Sequence, residues 1–165
     1  MSELLIPGYS LRVGSGIDRA LLLKFMQLTY KELYPEQDFS HLAKTIDQYF
    51  SSQTPLWWVD VAESVGGENW QHRKTVACLW VGNAIDQVSG DRHAHIFLIY
   101  VVPEYRRQGI ASALVKQAEI WAKNRGDRQI GLQVFMANQP ALSLYNLMGF
   151  QPVSIWMIKS LKDDA

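Results

Sequence analysis

YVVPEYRRQGIASAL, running from Tyr100 to Leu114, carries a hydrophobic strand through a basic turn and straight into a helix. The turn holds Arg106, Arg107, Gln108, Gly109 and Ala111, so small residues stand where backbone must approach a ligand, with two guanidinium groups beside them. At a helix start the first backbone N–H groups have no intrahelical partners and the macrodipole is positive, which makes such a turn an anion site before any side chain is counted. Gly109 reaches backbone conformations closed to other residues, and Ala111 adds almost no bulk. An ordinary strand-to-helix turn with solvated arginines has the same local composition, so the turn alone does not decide between the two.

Outward from this segment, the strand His95 to Val102 is nearly all apolar, as a strand buried on both faces should be. The helix beginning near Gly109 is expected to reach Arg125, with Gly126 at its stop. Gln129 to Phe135 reads as another central strand. Asn138-Gln139-Pro140 opens a short helix through an asparagine cap and a first-turn proline, Gly149 closes it, and Phe150 to Lys159 reads as the last strand. Upstream, Tyr9 to Val13 is a strand. A helix with the apolar stripe Leu21, Leu22, Phe25, Met26 and Leu28 ends before Tyr34-Pro35, because a residue preceding proline avoids helical geometry. A second helix spans His41 to Phe50. Trp57 to Ala62 and Thr75 to Val81 are strands, separated by a loop from Glu63 to Lys74 around Gly66-Gly67, and Ser89-Gly90 turns the next connection. This order predicts an α/β (α+β mixed) fold: one domain over residues 1–165, with a mixed, mostly antiparallel sheet of six to seven strands and about four helices.

Arg106-x-x-Gly109-x-Ala111, after Val-Val-Pro and before Leu114, resembles the acyl-CoA pyrophosphate loop of GCN5-related N-acetyltransferases. A second match follows at Asn138, Ala141, Leu144, Tyr145, Gly149 and Phe150, similar to that family's later segment. The resemblance is strong from about Ile96 to Phe150 and weak before it. It implies an enzyme that moves an acetyl group from acetyl-CoA to a primary amine by direct attack in a ternary complex. On it, the pyrophosphate rests on the backbone N–H groups of Gln108, Gly109, Ile110, Ala111 and Ser112, with Arg106 or Arg107 adding charge. The pantetheine arm pairs with the backbone of Tyr100, Val101 and Val102, and Asn138 contacts it, although a helix cap explains Asn138 equally well. Tyr145 is the expected general acid, since a phenol of pKa about 10 stays protonated at neutral pH. Some relatives place a glutamate where this chain has His95, so His95 is the candidate general base, or a partly exposed structural residue.

The composition excludes several other classes. With 165 residues, 48% apolar and 19% charged, the chain suits one folded domain. Zero formal net charge offers no field that would attract nucleic acid or an anionic membrane. One cysteine, Cys78, permits no intrachain disulfide; with no secretion signal or spanning segment, a cytoplasmic location is expected. His93 and His95 could share a strand face, but no third ligand at useful spacing points to a metal. Trp57, Trp58 and Trp156 read as core residues. The acceptor is expected near Tyr30, Tyr34, Glu36, Asp38 and Phe39, and a small amine, a peptide or ribosomal protein amino terminus, and a protein lysine all fit. The resemblance leaves a homodimer open. A second class of reading is an acyl-CoA-binding sensor or interaction module that does not turn its ligand over.

Overall fold

The computed structural model describes residues 3–64 and 71–163. Six strands form one sheet in sequence order: β1 (Glu3–Ile6), β2 (Tyr9–Val13), β3 (Leu56–Ser64), β4 (Gln71–Ile85), β5 (Arg92–Val101) and β6 (Ile130–Leu132). The first five run antiparallel to their neighbours, and β6 is parallel to β5. Four helices accompany the sheet: α1 (Arg19–Leu33), α2 (Leu42–Tyr49), α3 (Ile110–Asn124) and α4 (Gln139–Leu147). No described helix is long and apolar enough to cross a membrane.

Alternation along the strands divides the core into two layers. On one face Trp57, Val59, Leu79, Ala94, Ile96 and Val101 pack with Ile110, Leu114, Ala118 and Ala122 of α3. On the other, Trp58, Cys78, Trp80, Leu98 and Tyr100 meet Leu22, Phe25 and Met26 of α1 and Leu42 and Ile46 of α2. Burial pushes the Cys78 thiol well above its ordinary pKa, so it is an inert filler of this core. A bulge in the β4–β5 pair lies between the Trp80–Leu98 and Val81–Ile96 partners, leaving Phe97 as the extra residue. The Phe97 ring lies over Gly82, where a Cβ would stand 2.1 Å from it, and meets the Trp80 ring with centroids 5.1 Å apart.

Several expectations are corrected. β1 went unnoticed in the sequence, and the first long strands extend into the expected Glu63 to Lys74 loop: β3 runs on to Ser64 and β4 begins at Gln71. Gly66-Gly67 lies outside the described residues. The strand expected over Gln129 to Phe135 is only Ile130–Leu132, and among the described residues it pairs with β5 alone, so it is an edge and not a central strand there. The strand expected over Phe150 to Lys159 is not formed: the segment has no helix, strand or turn, and Trp156, expected in the core, is 80% exposed. The apolar run is real, but nothing in the described chain covers it.

Candidate functional site

The parallel pairing of β5 and β6 stops early. Ala94, His95 and Ile96 pair with Ile130, Gly131 and Leu132, and there β6 ends, while β5 continues to Val101. From Phe97 to Val101, β5 is paired along its β4 edge and, among the described residues, has no strand on the other edge. The two parallel strands therefore part into a wedge whose inner wall offers unpaired backbone groups. Unpaired strand edges accept an extended partner. Val102 donates its N–H to the Val76 carbonyl at 2.8 Å, still on the β4 side, and Pro103, which lacks an N–H, ends the strand.

The mouth of the wedge is the turn singled out in the sequence. Gly109 caps α3 in the left-handed region, at φ +88°, and Arg107 also lies there at φ +61°. Alternation of left- and right-handed residues aims successive N–H groups into one concavity. No atom lies within 4 Å of the position a Gly109 Cβ would take, so the glycine answers to its backbone angle and the space before it is open. The first turn of α3 presents the N–H groups of Ile110, Ala111 and Ser112, which have no carbonyl behind them in any α-helix.

Side chains brace this turn from three sides. Arg106 donates through Nε to the Val101 carbonyl at 2.8 Å and through Nη2 to Glu32 of α1 at 2.6 Å, and its guanidinium lies 5.5 Å from the Tyr100 ring centroid. The Tyr9 hydroxyl of β2 donates to Gln108 Oε1, and the Tyr9 and Tyr105 rings meet edge to face. Thus Arg106 already has partners, whereas Arg107 is exposed at the turn. Glu32, which the sequence reading missed, stands 74 residues before its arginine. Burial first, then the Glu32 charge, raises the Tyr100 phenol pKa.

After β6 the chain leads into α4. Asn138 accepts from the Ala141 N–H at 3.3 Å, so its oxygen caps the helix. Tyr145 is partly buried with its ring against Phe150, and burial raises its pKa, which keeps the phenol protonated at neutral pH. Phe135 lies edge to face against both Tyr30 and Tyr34 of α1, and Tyr30 stacks on Phe39. These rings tie the end of α1 to the chain after β6. Asp38 is held below its ordinary pKa by the Ser40 N–H and hydroxyl, so it is anionic; Glu36 is exposed.

His95 lies in the paired stretch opposite Gly131, two residues before the wedge opens at Phe97. It is half-buried, with its ring against Phe97, and burial, followed by the neighbouring His93, holds its pKa below the ordinary 6.5. His93 is buried, its Nδ1 bonded to the Ala94 carbonyl at 2.8 Å, and both rings flank Gly131. Among the described residues no group of three His, Cys, Asp or Glu side chains could hold a metal ion. A polar cavity of about 470 Å³ sits at the opposite end of β5, lined by Arg92, Arg125, Asp127 and Arg128. Its walls pair with one another, as in Arg92 with Asp127 at 3.5 Å, and it lies away from the wedge.

A splayed parallel pair, a left-handed glycine turn and a helix start pointing into the gap are brought together by this fold, and the comparison of sequences agrees. The model of the acetyltransferase (GNAT) family matches residues 22–150. The chain belongs to the GNAT family. An aminoglycoside N(6')-acetyltransferase type 1 of Acinetobacter genomosp. 13 is 30% identical over 73% of this GNAT chain and 78% of its own. A protein of the same name from Acinetobacter baumannii is 35% identical over 47% of this chain, and the matched stretch is about half, 56%, of that relative's length. Among solved structures, a predicted acetyltransferase with acetyl-CoA from Clostridium acetobutylicum superposes with a TM-score of 0.70 at 19% identity, covering 93% of this chain and 96% of that one, a likeness of fold.

Proposed function

We propose that this GNAT chain transfers an acetyl group from acetyl-CoA to the primary amine of a small molecule. The observation that carries the reading is the wedge: β5 keeps a free edge from Phe97 to Val101, and the nest at Arg107 to Gly109 and the α3 start lie at its mouth. A pantetheine arm is slender, carries two amides and ends in a diphosphate, so it matches a strand edge followed by an anion nest. In this arrangement Gln108, Gly109, Ile110, Ala111 and Ser112 hold the diphosphate through backbone N–H groups, with Arg107 adding charge. Arg106 serves differently, holding the turn to Val101 and Glu32. The backbone of Tyr100, Val101 and Val102 lines the arm, and Asn138, whose oxygen caps α4, is assigned a contact with it.

The amine attacks the thioester carbonyl, forming a carbon–nitrogen bond as the carbon–sulfur bond breaks. The proton leaving the nitrogen goes to His95, directly or through water; the departing thiolate takes one from Tyr145. A neutral imidazole and a protonated phenol are the forms that burial favours at both residues. Asp38 and Glu36, close in sequence to the aromatic rim of Tyr30, Tyr34 and Phe39, suit a cationic acceptor. The aminoglycoside acetyltransferases among the relatives support a small polyamine over a protein amino terminus, and a cytoplasmic setting would supply the cosubstrate.

Calorimetry with acetyl-CoA tests the donor site. Gly109→Trp places a bulky side chain where left-handed backbone is required and the space is open, so binding should fall at least about a hundredfold. Equal binding by the variant, or none by the unaltered chain, would sink the assignment. The reading of a binding module without turnover predicts the same calorimetry but no product on any amine.

A further inference from the structure

The end of α1 reaches two separate parts of the molecule. Tyr30 and Tyr34 set their rings against Phe135, which fixes where the helix ends, and between them Glu32 reaches Arg106. The contact is short, 2.6 Å from Arg106 Nη2 to Glu32 Oε1, although both side chains are 40% exposed. An ion pair so open to water adds little stability. What it does fix is the place of the guanidinium.

That place is defined by the other contacts of the arginine. The Val102 N–H points to Val76 of β4, and a trans peptide carries its carbonyl on the opposite side, so the Val101 carbonyl faces the free edge of β5. Arg106 Nε donates to this carbonyl at 2.8 Å, and the guanidinium lies 5.5 Å from the Tyr100 ring centroid. One arginine therefore fills the last acceptor on the open edge. Through its own backbone it also begins the turn in which Arg107 and Gly109 are left-handed.

We infer that Glu32 is a positioning residue for the donor: it holds Arg106 on the Val101 carbonyl and cancels its charge, so that the spacing between strand edge and anion nest is set before the ligand arrives. The inference rests on the donor assignment above. A donor has two parts, an arm for the edge and a diphosphate for the nest, and only a ligand with both gains from a fixed distance between them. An uncompensated second arginine would bind any phosphate more tightly and discriminate less. With Glu32 in place, phosphate alone is held weakly and the complete donor well.

Calorimetry tests this by comparing acetyl-CoA with ADP, which carries a diphosphate and no arm. The proteins are the unaltered chain, Glu32→Gln, Arg106→Met and the double variant. Glu32→Gln keeps the shape of the side chain and removes its charge. It should bind ADP about threefold more tightly, the effect of one unit charge at a few ångströms in water. Affinity for acetyl-CoA relative to ADP should fall roughly three- to tenfold as the fixed spacing is lost. The Arg106 Nε–H resonance, protected in the unaltered chain, should exchange with solvent at least about tenfold faster. In the Arg106→Met background the ratio of the two affinities should no longer respond to Glu32→Gln, because the carboxylate has nothing left to position. An unchanged ratio in Glu32→Gln, an Nε–H that stays protected there, or the same fall in ratio with Arg106 absent would each overturn the inference. So would equal weakening of both ligands, the sign of a helix end that merely supports the turn. An unaltered chain that binds acetyl-CoA no better than ADP would bring down the donor assignment itself, and this inference with it.

Discussion

Helices α3 and α4 follow successive strands of the sheet, yet they are finished to different degrees. Five side chains of α3 are buried: Ile110, Leu114, Val115, Ala118 and Ala122. On α4 none is. The turn before α3 is tied to β2, to α1 and to the end of β5, whereas the bonds at the start of α4 are local, within the segment from Phe135 to Ala141. On the proposed assignment, the donor half of the site is therefore built into the core, and the half that carries Tyr145 is built on its margin. Such an asymmetry separates binding from chemistry: variants near α3 should act through stability and donor affinity, and variants on α4 through turnover.

The sharpest way to break this division is Tyr145→Phe. Loss of a general acid costs about 10²- to 10⁴-fold in rate, and because the phenyl ring still packs on Phe150, acetyl-CoA affinity should be unchanged. Steady-state kinetics with an accepted amine, set beside calorimetry, checks both halves; a fall in affinity equal to the fall in kcat would show that Tyr145 belongs to the donor site instead. Next comes a pair of cavity variants. Leu114→Ala, at a position with no exposed surface, should cost about 2–5 kcal/mol of stability in urea unfolding. Leu142→Ala, at a half-buried position of α4, should cost less than half of that. Equal losses would mean that α4 is as deeply embedded as α3 and that the comparison is mistaken.

Gly82→Ala addresses the joint between the two halves. Its Cβ would stand 2.1 Å from the Phe97 ring at the bulge, where β5 begins to leave β6. The ring must move, and its neighbours Trp80, Tyr49 and His95 move with it or lose contact. Overpacking of this kind costs about 1–3 kcal/mol, so a lowered urea midpoint is expected together with reduced turnover. An unaffected midpoint would show that the ring has room elsewhere.

How legible all this was in the sequence follows the same boundary. The strands and helices of the core announced themselves because period-2 and period-3.6 apolar patterns report burial within the chain, as at Trp57 and Trp58 or Leu22, Phe25 and Met26. The turn at Arg106 to Gly109 was readable because its demand is local, a left-handed angle and a helix start. The Arg106–Glu32 pair was not, since nothing in either neighbourhood marks a partner so distant along the chain. The segment after Phe150 was misread as an ordinary last strand for a related reason: an apolar run states that it must be covered and is silent about by what. The early end of β6 was hidden too, because pairing depends on the register of its neighbour rather than on the residues themselves.

The smallest expected effect is the pH response of His95, and it probes the point where the halves touch. Burial lowers its folded-state pKa below the ordinary 6.5, with the His93 charge adding to the shift. The unfolded chain thus takes up a proton at a pH where the folded chain still refuses it. By linkage, any stability tied to this group is complete above about pH 6.5 and is lost as the pH falls through that value toward the folded-state pKa. A base must be neutral to accept a proton, so kcat should be flat at neutral pH and decline only on the acidic side of 6.5. His95→Gln should remove the acidic limb from both profiles and lower kcat, with acetyl-CoA affinity kept. Should the variant lose the stability limb while its kcat profile stays that of the unaltered chain, His95 would be a buried structural residue of the wedge, and the amine would reach the thioester already neutral.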